Sequence, residues 1–203
     1  MRDESRPHNR PPASCDSLSN HLDKPGFTSY ATCVGSLVDY DIHYKKGRGQ
    51  CGSPFPAVEA ALQAMPAPGR VLDLGCGQGR DVLLAAQLGH EVVGVDLSEV
   101  GIAQMLEDAK GLNVTGVVSD VLAYRSRRKF DVVVLDRVLH LLLDDDERRQ
   151  GLERAAALTK KGGTVLVADT PKHAALIQGF FDAQPTTWKS TKRTKNFLFA
   201  TKL

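Results

Sequence analysis

The stretch Arg70-Val71-Leu72-Asp73-Leu74-Gly75-Cys76-Gly77-Gln78-Gly79-Arg80-Asp81 decides how the chain is read. An apolar run ends at an acid, glycines follow at every second position, and a helical pattern then begins. That order predicts a buried strand, a tight turn and a helix N-terminus, the layout of a nucleotide-type cofactor site. Glycine lets the turn take positive φ and lets a ligand approach the main chain closely.

The spacing narrows the ligand. A dinucleotide fingerprint, G-x-G-x-x-G, would need glycine where Arg80 stands, and the Walker pattern G-x-x-x-x-G-K-[ST] is absent. Asp73 would repel a phosphate and suits a cation. The pattern D-x-G-x-G-x-G over Asp73 to Gly79 resembles motif I of the class I S-adenosylmethionine (SAM) dependent methyltransferases. SAM carries an ammonium, a sulfonium and a ribose but no phosphate. The resemblance implies SAM as cofactor, S-adenosylhomocysteine (SAH) as product, and contacts from Asp73, Gly75, Cys76, Gly77 and Gly79. Cys76 reads as a small residue beside the cofactor rather than as a catalytic thiol.

Downstream residues extend the match. Glu91 to Asp96 reads as a second strand whose terminal acid falls about 20 residues after the first glycine, where a carboxylate can accept both ribose hydroxyls. Leu97 would then lie against the adenine, and Ser98 reads as the N-cap of a helix over 99–110. A third strand over 114–118 leads to Asp120 and Val121. In the resembled family an acid there accepts from the adenine amino group, and the next residue's backbone contacts the ring. A fourth strand, Phe130 to Leu135, is followed by Asp136, Arg137 and His140. Ligands in open α/β sheets sit outside the carboxyl ends of the strands. These three are therefore the catalytic candidates, with His140 or Asp136 as base and Arg137 as an anion holder. Asp136 is also a cofactor candidate.

An acid-rich first turn at 144–147 opens a helix to about 159, for which solvation and the helix dipole suffice. Lys160-Lys161-Gly162-Gly163 is expected to end it, before a fifth strand over Thr164 to Asp169. Pro171 starts a short helix. Two strand-like runs, 186–191 and 196–201, close the chain as an antiparallel hairpin. The expected fold is α/β, a Rossmann-like three-layer sandwich with a seven-stranded, mostly parallel sheet and an antiparallel C-terminal hairpin.

Upstream, residues 1–25 are polar and proline-bearing and read as a flexible tail, leaving a methyltransferase domain over 26–203. Residues 26–52 are expected to act as a lid, with Tyr40, His43 and Tyr44 as pocket candidates. Arg48 is a candidate for the SAM carboxylate. Ser53 and Pro54 read as N-cap and first residue of a helix over 54–64.

The bulk properties agree with one domain. The net charge of +2 is too small to imply nucleic acid, and no run of 18 apolar residues suggests a membrane span. The four cysteines at 15, 33, 51 and 76 lack metal spacing, so no metal is expected and a reducing cytoplasm fits. The basic cluster 125–129 and the terminal lysines read as solvated surface.

Within the class, size and lid resemble the tellurite-resistance and thiopurine methyltransferase branch. That implies a small-molecule acceptor, a thiol or chalcogen oxyanion, and a monomer or homodimer. The alternatives are an RNA or protein methyltransferase and a non-catalytic SAM-binding partner subunit. A NAD(P) oxidoreductase is disfavoured by Arg80.

Overall fold

In the computed structural model, residues 40–203 are described; the tail and the first half of the expected lid lie outside them. The glycine stretch folds as read. β1 is Arg70–Leu74 and α3 is Arg80–Gln87, with the turn between them. The other strands are β2 Glu91–Asp96, β3 Val114–Val118, β4 Phe130–Asp136, β5 Thr159–Ala168, β6 Trp188–Arg193 and β7 Phe197–Lys202. They form one seven-stranded sheet in the order β3-β2-β1-β4-β5-β7-β6. β1 to β5 pair in parallel, and β7 runs antiparallel to both β5 and β6.

Alternation within the buried strands assigns the two faces. Val71, Val132 and Val134 pack with Val58 and Leu62 of α2 (Pro56–Gln63), Val82 and Ala85 of α3, and Ile102 and Met105 of α4 (Glu99–Asp108). Leu72, Leu74, Val133 and Leu135 point the other way. They meet Leu152 and Ala155 of α5 (Asp145–Leu158) and Ile177 and Phe181 of α6 (Ala174–Asp182). Both faces of the parallel region are covered, which explains its near-continuous apolar runs. The strand order reverses between β1 and β4, which opens a crevice at their carboxyl ends.

Two boundary expectations are corrected. α2 starts at Pro56, not Pro54, and Phe55 rather than Ser53 is its N-cap. A residue before proline is pushed out of the helical region; Phe55 is extended, with φ −67° and ψ 133°, so the helix begins after it. Nor do Lys160 to Gly163 end α5. Thr159 already pairs with Phe130 in the sheet, its hydroxyl donates to Ala155 O at 2.8 Å, and residues 160–163 bulge before pairing resumes at Thr164. Ser98 does cap α4, accepting from Gly101 N at 2.9 Å.

Gly79 joins the turn to α3 at φ 84°, and a Cβ there would collide with Met105. Gly79→Ala is expected to cost about 1–2 kcal/mol for the left-handed backbone and about 1–3 kcal/mol more for overpacking. Gly111→Ala has the same backbone sign, φ 85°, but open space around the new methyl. It should lose only the first part. Urea midpoints at unchanged m separate the two contributions.

Candidate active site

The site is built at the carboxyl ends of β1, β2 and β4. Gly75 and Cys76 donate their backbone N–H groups to Val95 O at 2.8 and 3.0 Å, which ties the turn to β2. A Cβ on Gly75 would stand 2.5 Å from Val138, and one on Gly77 would stand 2.5 Å from the Tyr44 hydroxyl. Cys76 is buried with its sulfur 3.8 Å from Met105 Sδ, and burial pushes its thiol well up, so it is a packing residue.

Asp96 is held in a fixed orientation. One carboxylate oxygen accepts from Gly77 N and the other from Ser98 N, both at 2.8 Å. Burial raises its pKa. Further lone pairs remain on both oxygens. Leu97 beside it is 60% exposed, a large apolar side chain left uncovered. Ser119 N donates to Asp96 O at 2.9 Å, so the end of β3 lies against the end of β2. That brings Asp120, which accepts from Leu122 N at 2.7 Å, and buried Val121 to the same side.

Three carboxylates meet under the turn. Asp73, Asp81 and Asp136 are all buried. Arg80 is the cation among them: it pairs with Asp81 at 2.9 Å and with Asp136. Burial, then Asp81 and Asp136, hold Asp73 well above the usual carboxylate range. Asp136 is pushed up to about 7, by burial first and by Asp81 next, against the pull of Arg80. One oxygen of Asp73 and one of Asp136 are buried without a hydrogen-bond partner. Unpartnered buried acceptors are rare because they lose their hydration uncompensated. A donor cation would satisfy both.

Part of the expected lid reaches this turn. Tyr44, on the helix α1 (Tyr40–Lys45), is buried, and its ring lies where a Cβ on Gly101 would be 3.0 Å away. Burial, then Cys51, raises its phenol pKa. Asp41 accepts from Ser98 Oγ and from Val100 N, which fastens α1 to the start of α4. Tyr40 and His43 pack edge-on or tilted against Tyr44.

Arg48 is not at the turn, contrary to expectation. Its guanidinium pairs with Glu107 and Asp108 at the exposed end of α4. A flexible loop cation goes to the nearest acids, which sequence spacing does not reveal. Arg80 is the guanidinium beside the glycines, and the sequence showed it only as a broken dinucleotide pattern.

Beyond β4, Arg137 is exposed and takes φ 59°, with its N–H donating to Ala168 O at 2.8 Å. A non-glycine residue pays about 1–2 kcal/mol for that backbone, a kind of strain that clusters at functional sites. His140 lies in the 3-10 turn Leu139–Leu141. Its backbone N–H donates to Asp169 at 3.1 Å, and its Nδ1 stands 3.7 Å from the same carboxylate, wider than a hydrogen bond. Asp169 also faces His173 Nδ1 at 3.3 Å. Burial opposes its ionisation, yet His140, Thr170 N–H and His173 together bring its pKa below the usual range. Asp169 was not singled out in the sequence, although its place at the end of β5 is where a ligand-side acid would be sought. A cavity of about 490 Å³ opens here, lined by Phe55, Pro56, Ala57, Arg137, Ala168, Asp169, Asn196 and Phe197.

Residues 71–163 match the family model of the methyltransferase domain. The probable S-adenosyl-L-methionine-dependent methyltransferase TehB of Haemophilus influenzae is 31% identical over 102 residues, 49% of this chain and 35% of that protein. The core of the chain, a little under half of its length, is thus similar to a SAM-dependent methyltransferase domain.

The solved TehB-like SAM-dependent methyltransferase of Corynebacterium glutamicum superimposes with a TM-score of 0.64 at 22% identity, over 81% of this chain and 98% of that one. Magnesium protoporphyrin IX methyltransferase of Synechocystis, solved with bound SAM, gives 0.61 at 23% identity, over 72% and 77%. RNA methyltransferases are among the matches too. The chain spans about a third to a half of the length of the first curated relatives it matches.

The family's cofactor is SAM, and the residues at the turn fit it. The two unpartnered oxygens of Asp73 and Asp136 suit its ammonium, and Asp96 suits a ribose. Among the described residues, no three His, Cys, Asp or Glu side chains are placed to hold a metal ion.

Asp136, with its pKa raised to about 7, makes ligand affinity depend on pH. A bound ammonium favours the ionised carboxylate, so binding releases a proton and SAH should bind more tightly as pH rises from about 6 to 8. Calorimetry should show this rise, and Asp136→Asn should flatten it. Stability runs the opposite way. The native carboxyl keeps a proton that the unfolded chain loses near pH 4, so its contribution falls as pH rises through about 7.

Proposed function

We propose that the protein is a SAM-dependent methyltransferase acting on a small-molecule acceptor, a soft nucleophile such as a thiol or a chalcogen oxyanion. The observation that supports the cofactor is the pair of unpartnered buried carboxylate oxygens, on Asp73 and Asp136, beneath a glycine turn that also fixes Asp96, and the acceptor class rests on the likeness to TehB. The cofactor, when bound, supplies a methyl group already activated by positive sulfur.

The protein's own part is binding, alignment and exclusion of water. Asp73 and Asp136 take the ammonium, Asp96 the ribose hydroxyls, and Leu97, Asp120 and Val121 the adenine. Arg80 is the guanidinium within reach of the methionine carboxylate. Tyr44 covers the turn from the solvent side. A thiolate or chalcogen oxyanion needs little base help. For an amine or hydroxyl, Asp136 and His140 are the groups able to take a proton. A cytoplasmic location and a monomer or homodimer belong to the same proposal. Among the described residues no helix is long and apolar enough to cross a membrane.

An RNA acceptor is less well supported. Arg128 pairs with Glu91, the first residue of β2, at the amino ends of the strands, and Arg125 is taken up by the carbonyls of Leu122 and Tyr124. On the edge strand β6, Arg193 pairs with Asp182 and Lys192 lies 5.8 Å over the Phe199 ring. Both clusters fit solvated edges.

The test is SAH release from SAM across tellurite, selenite, thiols, amines, phenols and RNA. Turnover on a thiol or chalcogen is expected. Turnover on RNA alone would contradict the proposal, and SAH binding without turnover on any acceptor would favour a non-catalytic partner subunit. Asp96→Ala should weaken SAH binding by about 1–3 kcal/mol through lost charged hydrogen bonds.

A further inference from the structure

We infer that the cavity walled by Phe55 and Phe197 is the acceptor site and that it takes a small organic anion with an apolar body, its acid group held by Arg137. This deepens the methyltransferase reading, rests on it, and narrows its acceptor from thiol or chalcogen oxyanion to an organic molecule.

The position fits an acceptor. Arg137 follows β4 and Ala168 ends β5, so the cavity opens at the carboxyl ends of the strands. Phe55 links it to the cofactor turn. The Arg80 guanidinium lies 5.1 Å over the Phe55 ring while pairing with Asp136, the residue before Arg137.

The size and lining select the body. About 490 Å³ is within the usual range for a small-molecule site, about 300–1,000 Å³. A four-atom oxyanion would fill about 120 Å³, taking about 30 Å³ for each water-sized atom. The Phe55 and Phe197 rings meet edge to face with centroids 5.5 Å apart, and Pro56, Ala57 and Ala168 extend the apolar wall. Such a surface gains by covering rings or aliphatic groups rather than a bare hydrated ion.

The charge selects the head group. Among the described residues no carboxylate lies within ion-pair distance of the Arg137 guanidinium, and the residue is exposed. Asp169 also lines the cavity, but its side chain is 1% exposed and turned to His140, Thr170 N and His173. The Arg137 charge is felt by Asp136 and Tyr40, yet among the described residues its side chain pairs with no carboxylate, and a guanidinium matches a carboxylate bidentately.

Calorimetry on the SAH-loaded chain, with 2-naphthoate and its uncharged carboxamide as probes, tests the assignment. Naphthoate is expected to bind at least tenfold more tightly than the amide. Arg137→Asn, a residue that tolerates the left-handed backbone, should bring naphthoate down to the amide's affinity. Arg137→Lys should keep part of the preference. Phe197→Ala should weaken both probes together.

Equal affinity for acid and amide, naphthoate binding indifferent to Arg137→Asn, or no binding of either probe would overturn the proposal. So would selenite displacing naphthoate at equal concentration, which would mark a plain oxyanion site. Failure of SAH itself to bind would overturn the methyltransferase reading, and the acceptor assignment with it.

Discussion

Three carboxylates buried around one arginine are the constraint on which the rest of the site depends. An ionised group in a protein interior is costly unless it is paired and hydrogen-bonded. Arg80 offsets part of that cost for Asp81 and Asp136. Asp81 also sits in the first turn of α3, where the helix dipole favours a negative charge. Asp73 feels the Arg80 charge without pairing with it, and both it and Asp136 keep an oxygen without a partner. A packed sheet with helices on both faces tolerates this local cost. The arrangement amounts to a site waiting for a cation, built by a strand that ends in an acid and a turn that only glycine can make.

The same sheet separates the glycine turn from the cavity walled by Phe55 and Phe197. Asp73, Asp96 and Asp120 lie along the β1-β2-β3 half, while Arg137 and Asp169 lie beyond β4 and β5. Asp136 and Arg80 stand between the two halves, and Phe55 packs on Arg80 from the cavity side. Tyr44 lies against the glycine turn on a helix fastened to the α4 N-terminus by Asp41.

Much of this was legible in the sequence because it follows from backbone periodicity. Apolar runs of strand length, glycines at a turn and acids at strand ends are local signals, and they located β1 to β4, the turn, Asp96 and Asp120. The terminal hairpin was legible for the same reason. Pairings across long separations were not. Nothing in the order of residues says that Arg48 meets Glu107 and Asp108, or that Phe55 meets Phe197. The start of α2 was misread because two prolines both resemble a first helical residue, and only the extended backbone before Pro56 decides between them. Lys160 to Gly163 resembled a helix stop, yet pairing of Thr159 with β4 had already ended the helix.

The most direct measurement is a crystal structure of the chain with SAH. The SAH ammonium is expected within hydrogen-bond distance of Asp73 and Asp136, with both ribose hydroxyls on Asp96. SAH bound away from the glycine turn, or bound there with Asp73 still unpartnered, would contradict it.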